Sequence, residues 1–481
     1  MKADLPERAV QFGTGALLRG LVEDLLDLSN RAGKFNGRVV AIGSTGSGRD
    51  DLINAQGGRF TLITEGVENG KPSSSYRVVA SLSRALAAKT QWEEVLAVAR
   101  NPDIEVVFSN TTEVGLAVDP EDAPEDGAPR SFPAKLTRFL MERARAFNYD
   151  SSKGVIVLPC ELLENNGDIL RDLVTQTAEK WKLDAKFTEW LRASVSFGNT
   201  LVDRIVSGAP SPERAQEIRS ETGFPDELMT VCEPFRMFAV EGDAATREWI
   251  EGVSTGEGLF ATPDIRPYRE RKVRILNGGH TAMVPAALLA GCETVSGAMR
   301  DSQIGPFVRT AILEEILPTL DVPDGAKFAG EVIERFENPY IAHALMDITL
   351  HGTAKMKVRV VPSILSYCAA EGRPPANLTF GFAAHLVFLR GEIHTARAAA
   401  RLSVPADSAG ERIRSAWRTA GAGSAAMVNA ICADAELWGT DLTALPGFAQ
   451  TVAENVRSIL ERGVRSALAR ATSRKSEAVL S

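Results

Sequence analysis

Four short, mostly apolar runs stand in the first 160 residues: Ala9-Val10-Gln11-Phe12, Val39-Val40-Ala41-Ile42, Ile104-Glu105-Val106-Val107-Phe108 and Val155-Ile156-Val157-Leu158. A strand with one face in water alternates apolar and polar residues. Runs that do not alternate imply a parallel sheet covered on both faces. Helix-period stretches lie between the runs, as parallel strands require of their crossovers. Each run ends in small or polar residues: Gly13-Thr14-Gly15, then Gly43-Ser44-Thr45-Gly46-Ser47-Gly48, then Ser109-Asn110-Thr111-Thr112, then Pro159-Cys160. Ligands bind at those strand ends in doubly wound sheets. The pattern predicts an α/β fold with an N-terminal Rossmann-like, doubly wound, mostly parallel sheet.

From Lys272 onward helical periods dominate, over 281–291, 303–317, 326–335, 340–350, 376–389, 408–418 and 447–469. One short strand signal remains at 357–361. A mostly α-helical C-terminal domain follows. The Pro-bearing stretch 261–267 marks the boundary, which gives a dinucleotide-binding domain over 1–265 and a helical substrate and catalytic domain over 266–481.

Composition removes several classes of function. The net charge is −8, with 54 Lys plus Arg against 62 Asp plus Glu, so a nucleic-acid partner is not expected. The five cysteines are at least 60 residues apart, which reads as reduced thiols and a cytoplasmic protein. The opening MKADLPERAV lacks the apolar segment of a secretory leader, and no apolar run reaches the ~18 residues of a membrane span. Five scattered histidines give no metal site.

Phe12-Gly13-Thr14-Gly15-Ala16-Leu17-Leu18-Arg19-Gly20 joins the first strand to a helix. Small residues there let backbone amides approach a pyrophosphate. The third glycine of the usual fingerprint is displaced: Leu18 holds its place and Gly20 comes two later. The second run ends without the acid that binds the ribose 2′-hydroxyl of NAD, and Arg49 is nearby. NAD and NADP both stay open on these residues.

The sharpest cluster is Lys272-Val273-Arg274-Ile275-Leu276-Asn277-Gly278-Gly279-His280. On a straight α-helix, residues five apart are about 140° off a common face. The Gly-Gly pair argues against a straight helix, so the segment is expected to curl, with a helix starting near His280. Lys272, Asn277 and His280 then converge on one cavity, or serve as a surface lysine, a cap and a core histidine. A Tyr268-x-x-x-Lys272 pair is the rival acid–base arrangement. His343 and His351 are expected on one helical face at i and i+8.

The segment KVRILNGGHTAM resembles the active-site signature of the mannitol dehydrogenase family, with its Lys, an Asn five on and a His three beyond. QFGTGALLRG resembles the family's nucleotide loop, and SNTTEVG over 109–115 resembles its strand end beside the nicotinamide. NTLVDRI over 199–205 and Glu233-Pro234-Phe235 with Val240-Glu241-Gly242 resemble two further blocks. The similarity runs from about residue 10 to 390. LPCELLENNGD and NPYIAHALMDITLHGTAKMKVRVVPSIL resemble the family's hexuronate branch. Polyol-type members carry Ser where Thr281 stands, Ser where Thr353 stands, and Arg where Asp347 stands. Gly279 replaces an Ala common among hexuronate reductases.

The resemblance implies an enzyme that moves a hydride between a nicotinamide, NAD or NADP, and a sugar acid, interconverting D-tagaturonate and D-altronate. Fructuronate and polyol substrates are the alternatives, and a non-catalytic nicotinamide-binding regulator is the reading outside enzymes. Lys272 would be the acid in reduction and the base in oxidation, with Asn199, Asn277 and His280 as hydrogen-bonding partners. Phe12, Gly13, Thr14, Gly15, Ala16, Leu17, Leu18, Arg19, Asn110, Thr111, Thr112 and Glu113 would hold the cofactor. Lys355, Asp203, Arg204 and His351 would meet the substrate, whose carboxylate needs a cation from among Lys355, Lys357, Arg359, Arg236 and Arg204. The small sugar acid is the expected partner; the sequence leaves monomer and dimer open.

Overall fold

The computed structural model describes residues 5–44, 48–111, 115–124, 127–391, 405, 407–419 and 423–478. Thr112 and Glu113 of the expected cofactor set lie outside them. The chain forms two compact units, Met1–Glu65 with Ser73–Ile265 and Gly66–Pro72 with Arg266–Ser481.

Before Arg266 the chain forms the strands β1 (Glu7–Phe12), β2 (Arg38–Gly43), β3 (Phe60–Glu68), β4 (Lys71–Val79), β5 (Leu82–Ala87), β6 (Val106–Ser109), β7 (Ile156–Pro159), β8 (Ser196–Phe197), β9 (Asn199–Asp203), β10 (Val206–Gly208), β11 (Thr230–Cys232), β12 (Met237–Glu241) and β13 (Leu259–Ala261). The four apolar runs are β1, β2, β6 and β7. They sit in one sheet of order β5-β2-β1-β6-β7-β8, paired in parallel throughout. The lack of alternation has the expected cause. Val10, Phe12, Val40, Ile42, Val107 and Val157 join a core on one face. Ala9, Val39, Ala41, Val106, Phe108, Ile156 and Leu158 join a second core on the other. Two smaller sheets, β10-β11-β3-β4 and β13-β12-β9, gave no clear signal. β10, β11 and β13 are three residues each, too short for a period to show.

The second unit is helical. Its helices include Gly278–Leu289, Gly325–Glu337, Gly352–Arg359, Val361–Glu371, Ala376–Phe388, Gly410–Thr419, Phe448–Arg462 and Val464–Ala478. The strand expected over 357–361 is not there: 357–359 end one helix, Val360 is the turn, and Val361 opens the next helix. Met356 and Val360 are buried while Val358 is 57 % exposed, which is spacing by four rather than by two. The helix expected over 340–350 shrinks to Leu345–Ile348. His343 precedes it, and His351 has φ 54° at the start of Gly352–Arg359. The two histidines therefore share no helical face. The stretch 447–469 is broken at Gly463, whose φ is 77°.

Among the described residues no helix is long and apolar enough to cross a membrane, and no group of His, Cys, Asp and Glu is placed to hold a metal ion. All five cysteines are free.

Candidate active site

In the second unit, the helix Arg266–Arg271 passes into a π turn, Lys272–Asn277, and then into Gly278–Leu289. The helix therefore begins before Lys272, not near His280 as expected. Hydrogen bonds in a π turn run i→i+5, which sets Asn277 one turn above Lys272 on the same side. α-Helical spacing then sets His280 three residues beyond Asn277 on that side. Burial follows this geometry. Lys272, Asn277 and His280 are partly exposed, as is Val273 next to Lys272, whereas Arg274, Ile275, Leu276, Gly278, Gly279 and Thr281 are buried. The sequence showed a departure from a straight helix but not its kind, since nothing in the pattern marks a switch to i→i+5.

The glycine pair has a packing cause. A β-carbon on Gly278 would stand 2.9 Å from the Arg359 carbonyl oxygen, and one on Gly279 would stand 2.9 Å from Ile312 Cδ1. His280 stacks on Phe336 with ring centroids 4.0 Å apart and planes 16° apart, and meets the edge of His343 at 5.5 Å. Burial holds the His343 imidazole below its ordinary range, with Asp347 opposing, so its ring is neutral near pH 7.

Lys355 lies on the helix Gly352–Arg359, and its Nζ donates to the Ile348 carbonyl at 2.9 Å. It lines a pocket with Thr281, Val284, Ile348, Thr349 and His385. His351, expected at the substrate, is exposed and does not line that pocket. The wall of this pocket includes a polar cluster that no sequence motif marks. His385 Nε2 is 3.2 Å from Thr353 Oγ1. The Asp407 carboxylate accepts from Thr353 N at 2.8 Å and Gly410 N at 3.1 Å, capping two helices at once. Burial pushes the His385 imidazole down to about 4, against the pull of Asp407.

In the first unit, Gly13 has φ 133°, a conformation that favours glycine. A β-carbon there would also stand 3.0 Å from Leu18 Cδ1. Gly15 has nothing within 4 Å of its β-position and ordinary extended φ and ψ of −71° and 165°. Its backbone is open to a ligand. Thr14, Ala16 and Leu17 complete the turn, whereas Phe12 and Leu18 are each 1 % exposed and belong to the core. Arg19, expected at the cofactor, points inward: Nη1 donates to the Thr14 carbonyl at 2.7 Å and Nε to Thr230 Oγ1 at 3.1 Å. It braces the loop from beneath. Asn110 Nδ2 donates to the Cys160 carbonyl at 3.0 Å, and Thr111 N to Glu161 Oε1 at 2.8 Å.

A carboxylate from further along the chain lies against the end of β2. Asp50, in the first turn of the helix Arg49–Ala55, is 6 % exposed. Its carboxylate fills the space a β-carbon on Gly43 would need. Its Oδ1 is buried without a hydrogen-bond partner, and burial, with Asp51 adding to it, raises the carboxyl above its usual range. Asp50 lies eight residues beyond Ile42, further on than the strand end at which a ribose-binding acid is expected. An orphaned carboxylate at this position fits a ribose hydroxyl donor.

Two expected substrate residues are placed otherwise. The Arg204 side chain is 0 % exposed and pairs with Asp24 at 2.5 Å, while its Nε donates to the Glu233 carbonyl at 3.0 Å. It is an internal brace, since a buried guanidinium already paired cannot meet a substrate. Asp203 is buried at the end of β9. Asn199, 8 % exposed, accepts from Asp168 N at 3.1 Å and donates one Nδ2 hydrogen to Asp168 Oδ2 at 2.9 Å.

The mannitol dehydrogenase Rossmann domain model matches residues 7–251, and the mannitol dehydrogenase C-terminal domain model matches 264–460. The altronate oxidoreductase of Yersinia enterocolitica is 39% identical over 471 residues, 96% of each chain. That of Shigella flexneri is 40% identical over 473 residues, 97% of each. Among solved structures, substrate-free D-sorbitol dehydrogenase superposes with a TM-score of 0.79 at 23% identity, covering 97% of this chain and 96% of that one. Mannitol 2-dehydrogenase of Pseudomonas fluorescens, solved with NAD and D-mannitol, gives 0.66 at 23%, covering 98% and 95%. The chain belongs to the mannitol dehydrogenase family.

Proposed function

We propose that this oxidoreductase interconverts D-tagaturonate and D-altronate, with NAD as its nicotinamide cofactor and Lys272 as its acid–base group. The observation that carries the reading is the π turn, which brings Lys272, Asn277 and His280 to one partly exposed side, opposite the buried Arg274, Ile275 and Leu276. The near full-length similarity to altronate oxidoreductases supports the substrate.

NAD, when bound, supplies and accepts the hydride. The chain's own residues handle the charge that results. Reduction of a ketone leaves negative charge on oxygen, and Lys272 Nζ delivers a proton to it. Asn277 Nδ2 donates to the same oxygen as charge builds. His280, its ring plane fixed by Phe336, positions a neighbouring hydroxyl. In the oxidative direction Lys272 takes the hydroxyl proton. Asn199 keeps a second Nδ2 hydrogen beyond the one given to Asp168, and is proposed as a further donor. Gly13, Thr14 and Gly15 offer backbone to the pyrophosphate, and Asp50 accepts from the ribose 2′-hydroxyl. A 2′-phosphate would meet this buried carboxylate as a like charge, which favours NAD over NADP.

The test is nicotinamide absorbance with tagaturonate, fructuronate and fructose, each with NADH and NADPH, beside a Lys272→Ala control. Turnover of tagaturonate with NADH that disappears in the control is the expected result. Turnover of fructose alone, or of fructuronate in preference, overturns the substrate assignment. A Lys272→Ala enzyme with near-normal rate overturns the acid–base assignment.

A further inference from the structure

We propose that Arg359, together with Lys355, forms the subsite for the substrate's carboxylate. The inference rests on the hexuronate reading above and names the group that recognises the acid.

The structure sorts the five candidate cations by what each already holds. Arg204 is sealed against Asp24. Arg236 pairs with Asp24 at 3.1 Å and also with Glu257. Lys357 Nζ donates to the Glu436 carbonyl at 3.1 Å. Lys355 and Arg359 are different. They lie four apart on the helix Gly352–Arg359, which puts both on one face. Both are half-buried. Among the described residues, Lys355 holds the Ile348 carbonyl alone. No carboxylate among the described residues pairs with either.

Two like charges four apart on a helix repel, and burial makes each cation harder to keep charged. The guanidinium of Arg359 and the ammonium of Lys355 are both held below their ordinary ranges by burial, and Arg359 lowers Lys355 further. The helix C-terminus favours a cation in its last turn, which accounts for Arg359 alone but not for a second cation on the same face without a counter-charge. An anionic ligand supplies that counter-charge. A guanidinium matches a carboxylate through two parallel hydrogen bonds, with the lysine as a point charge beside it.

The position suits the substrate. The Arg359 carbonyl is the group against which Gly278 packs, and Gly278 follows Asn277 directly. Lys355 shares a pocket with Thr281, which follows His280. The cation pair thus lies on the helix whose end packs against the residue following Asn277.

The experiment compares wild type, Arg359→Gln and Arg359→Lys with tagaturonate and with fructose, as separate KM and kcat values, and adds gluconate as an inert sugar acid. Arg359→Gln is expected to raise KM for tagaturonate about 10- to 100-fold with a smaller change in kcat. It should lower the tagaturonate-to-fructose ratio of kcat/KM and weaken inhibition by gluconate, while Arg359→Lys restores part of each. If Arg359→Gln does not fold, Arg359→Lys carries the test with a several-fold rise in KM. An unchanged tagaturonate KM, in a protein whose wild type turns tagaturonate over, overturns the subsite alone. A wild type inert toward every hexuronate overturns the hexuronate reading and the subsite with it.

Discussion

Gln11 Nε2 donates to Glu23 Oε1 at 2.7 Å, and neither residue has any exposed surface. The same Nε2 donates to the Gly13 carbonyl at 3.0 Å. One buried amide therefore ties the first turn of the nucleotide loop to a carboxyl beneath it. Glu23 Oε2 and Gln11 Oε1 have no partners. Burial raises the Glu23 carboxyl from 4.5 to about 7, outweighing Arg19 and the bond from Gln11.

A stability slope follows from that shift. Between about 4.5 and about 7 the folded chain holds a proton that the unfolded chain has lost. Stability therefore falls as pH rises through this window and is level above it, by about 3 kcal/mol at most. Glu23→Gln keeps the neutral form and removes this contribution. Denaturant unfolding at pH 5.5 and 8 should show the variant gaining on wild type at pH 8. Equal losses in both proteins would refute the assignment.

His385 has the opposite sign. Its folded value of about 4 lies below the ordinary 6.5, so the unfolded chain binds the extra proton. Stability contributed by His385 is lost as pH falls from about 6.5 to about 4. His385→Gln, which retains a nitrogen for Thr353, should flatten the acid side of the stability profile. Parallel profiles for variant and wild type would count against it.

Asp50→Ala should weaken NAD binding about tenfold and raise the relative use of NADP. Steady-state kinetics with both cofactors measures this. A preference for NAD that survives the substitution would mean that another group reads the ribose.

The glycines at the two sites should respond differently. Gly15→Ala meets no atom within 4 Å and needs no unusual backbone, so the free protein's stability should change by less than about 0.5 kcal/mol. The methyl would, however, stand where a bound pyrophosphate approaches, and the NAD Kd should rise. Gly278→Ala drives a β-carbon toward a backbone carbonyl, with no flexible side chain to yield, and should cost about 1–3 kcal/mol. Thermal unfolding and NAD titration separate the two cases.

The residues that were legible are those whose local pattern and tertiary setting agree. Val39 to Ile42 read as a doubly covered strand because alternate residues enter two different cores. At 357–361 the valines favour a strand by propensity, but burial of Met356 and Val360 decides for helix. Lys272, Asn277 and His280 were identifiable by resemblance, while the π turn that aligns them was not, because five-residue spacing carries no signal in an α-helical period. Asp50 and Arg19 show the limit on side chains. Arg19 sits where a cofactor contact is sought and Asp50 lies beyond it, and only the fold decides that Asp50 turns to the strand end and Arg19 turns beneath the loop.

The pairing of β11 with β3 has a consequence for how the chain is made. Thr230 aligns with Leu62, a separation of 230 − 62 = 168 residues. A ribosome adding about 5–20 residues each second needs roughly 8–34 s to deliver that partner. Through that interval the edge of β3 that β11 will cover is without its native strand in the nascent chain. Slow, non-local closure of this kind exposes sheet edges to other chains, so yield from rapid overexpression should depend on the small sheet more than on the six-stranded one.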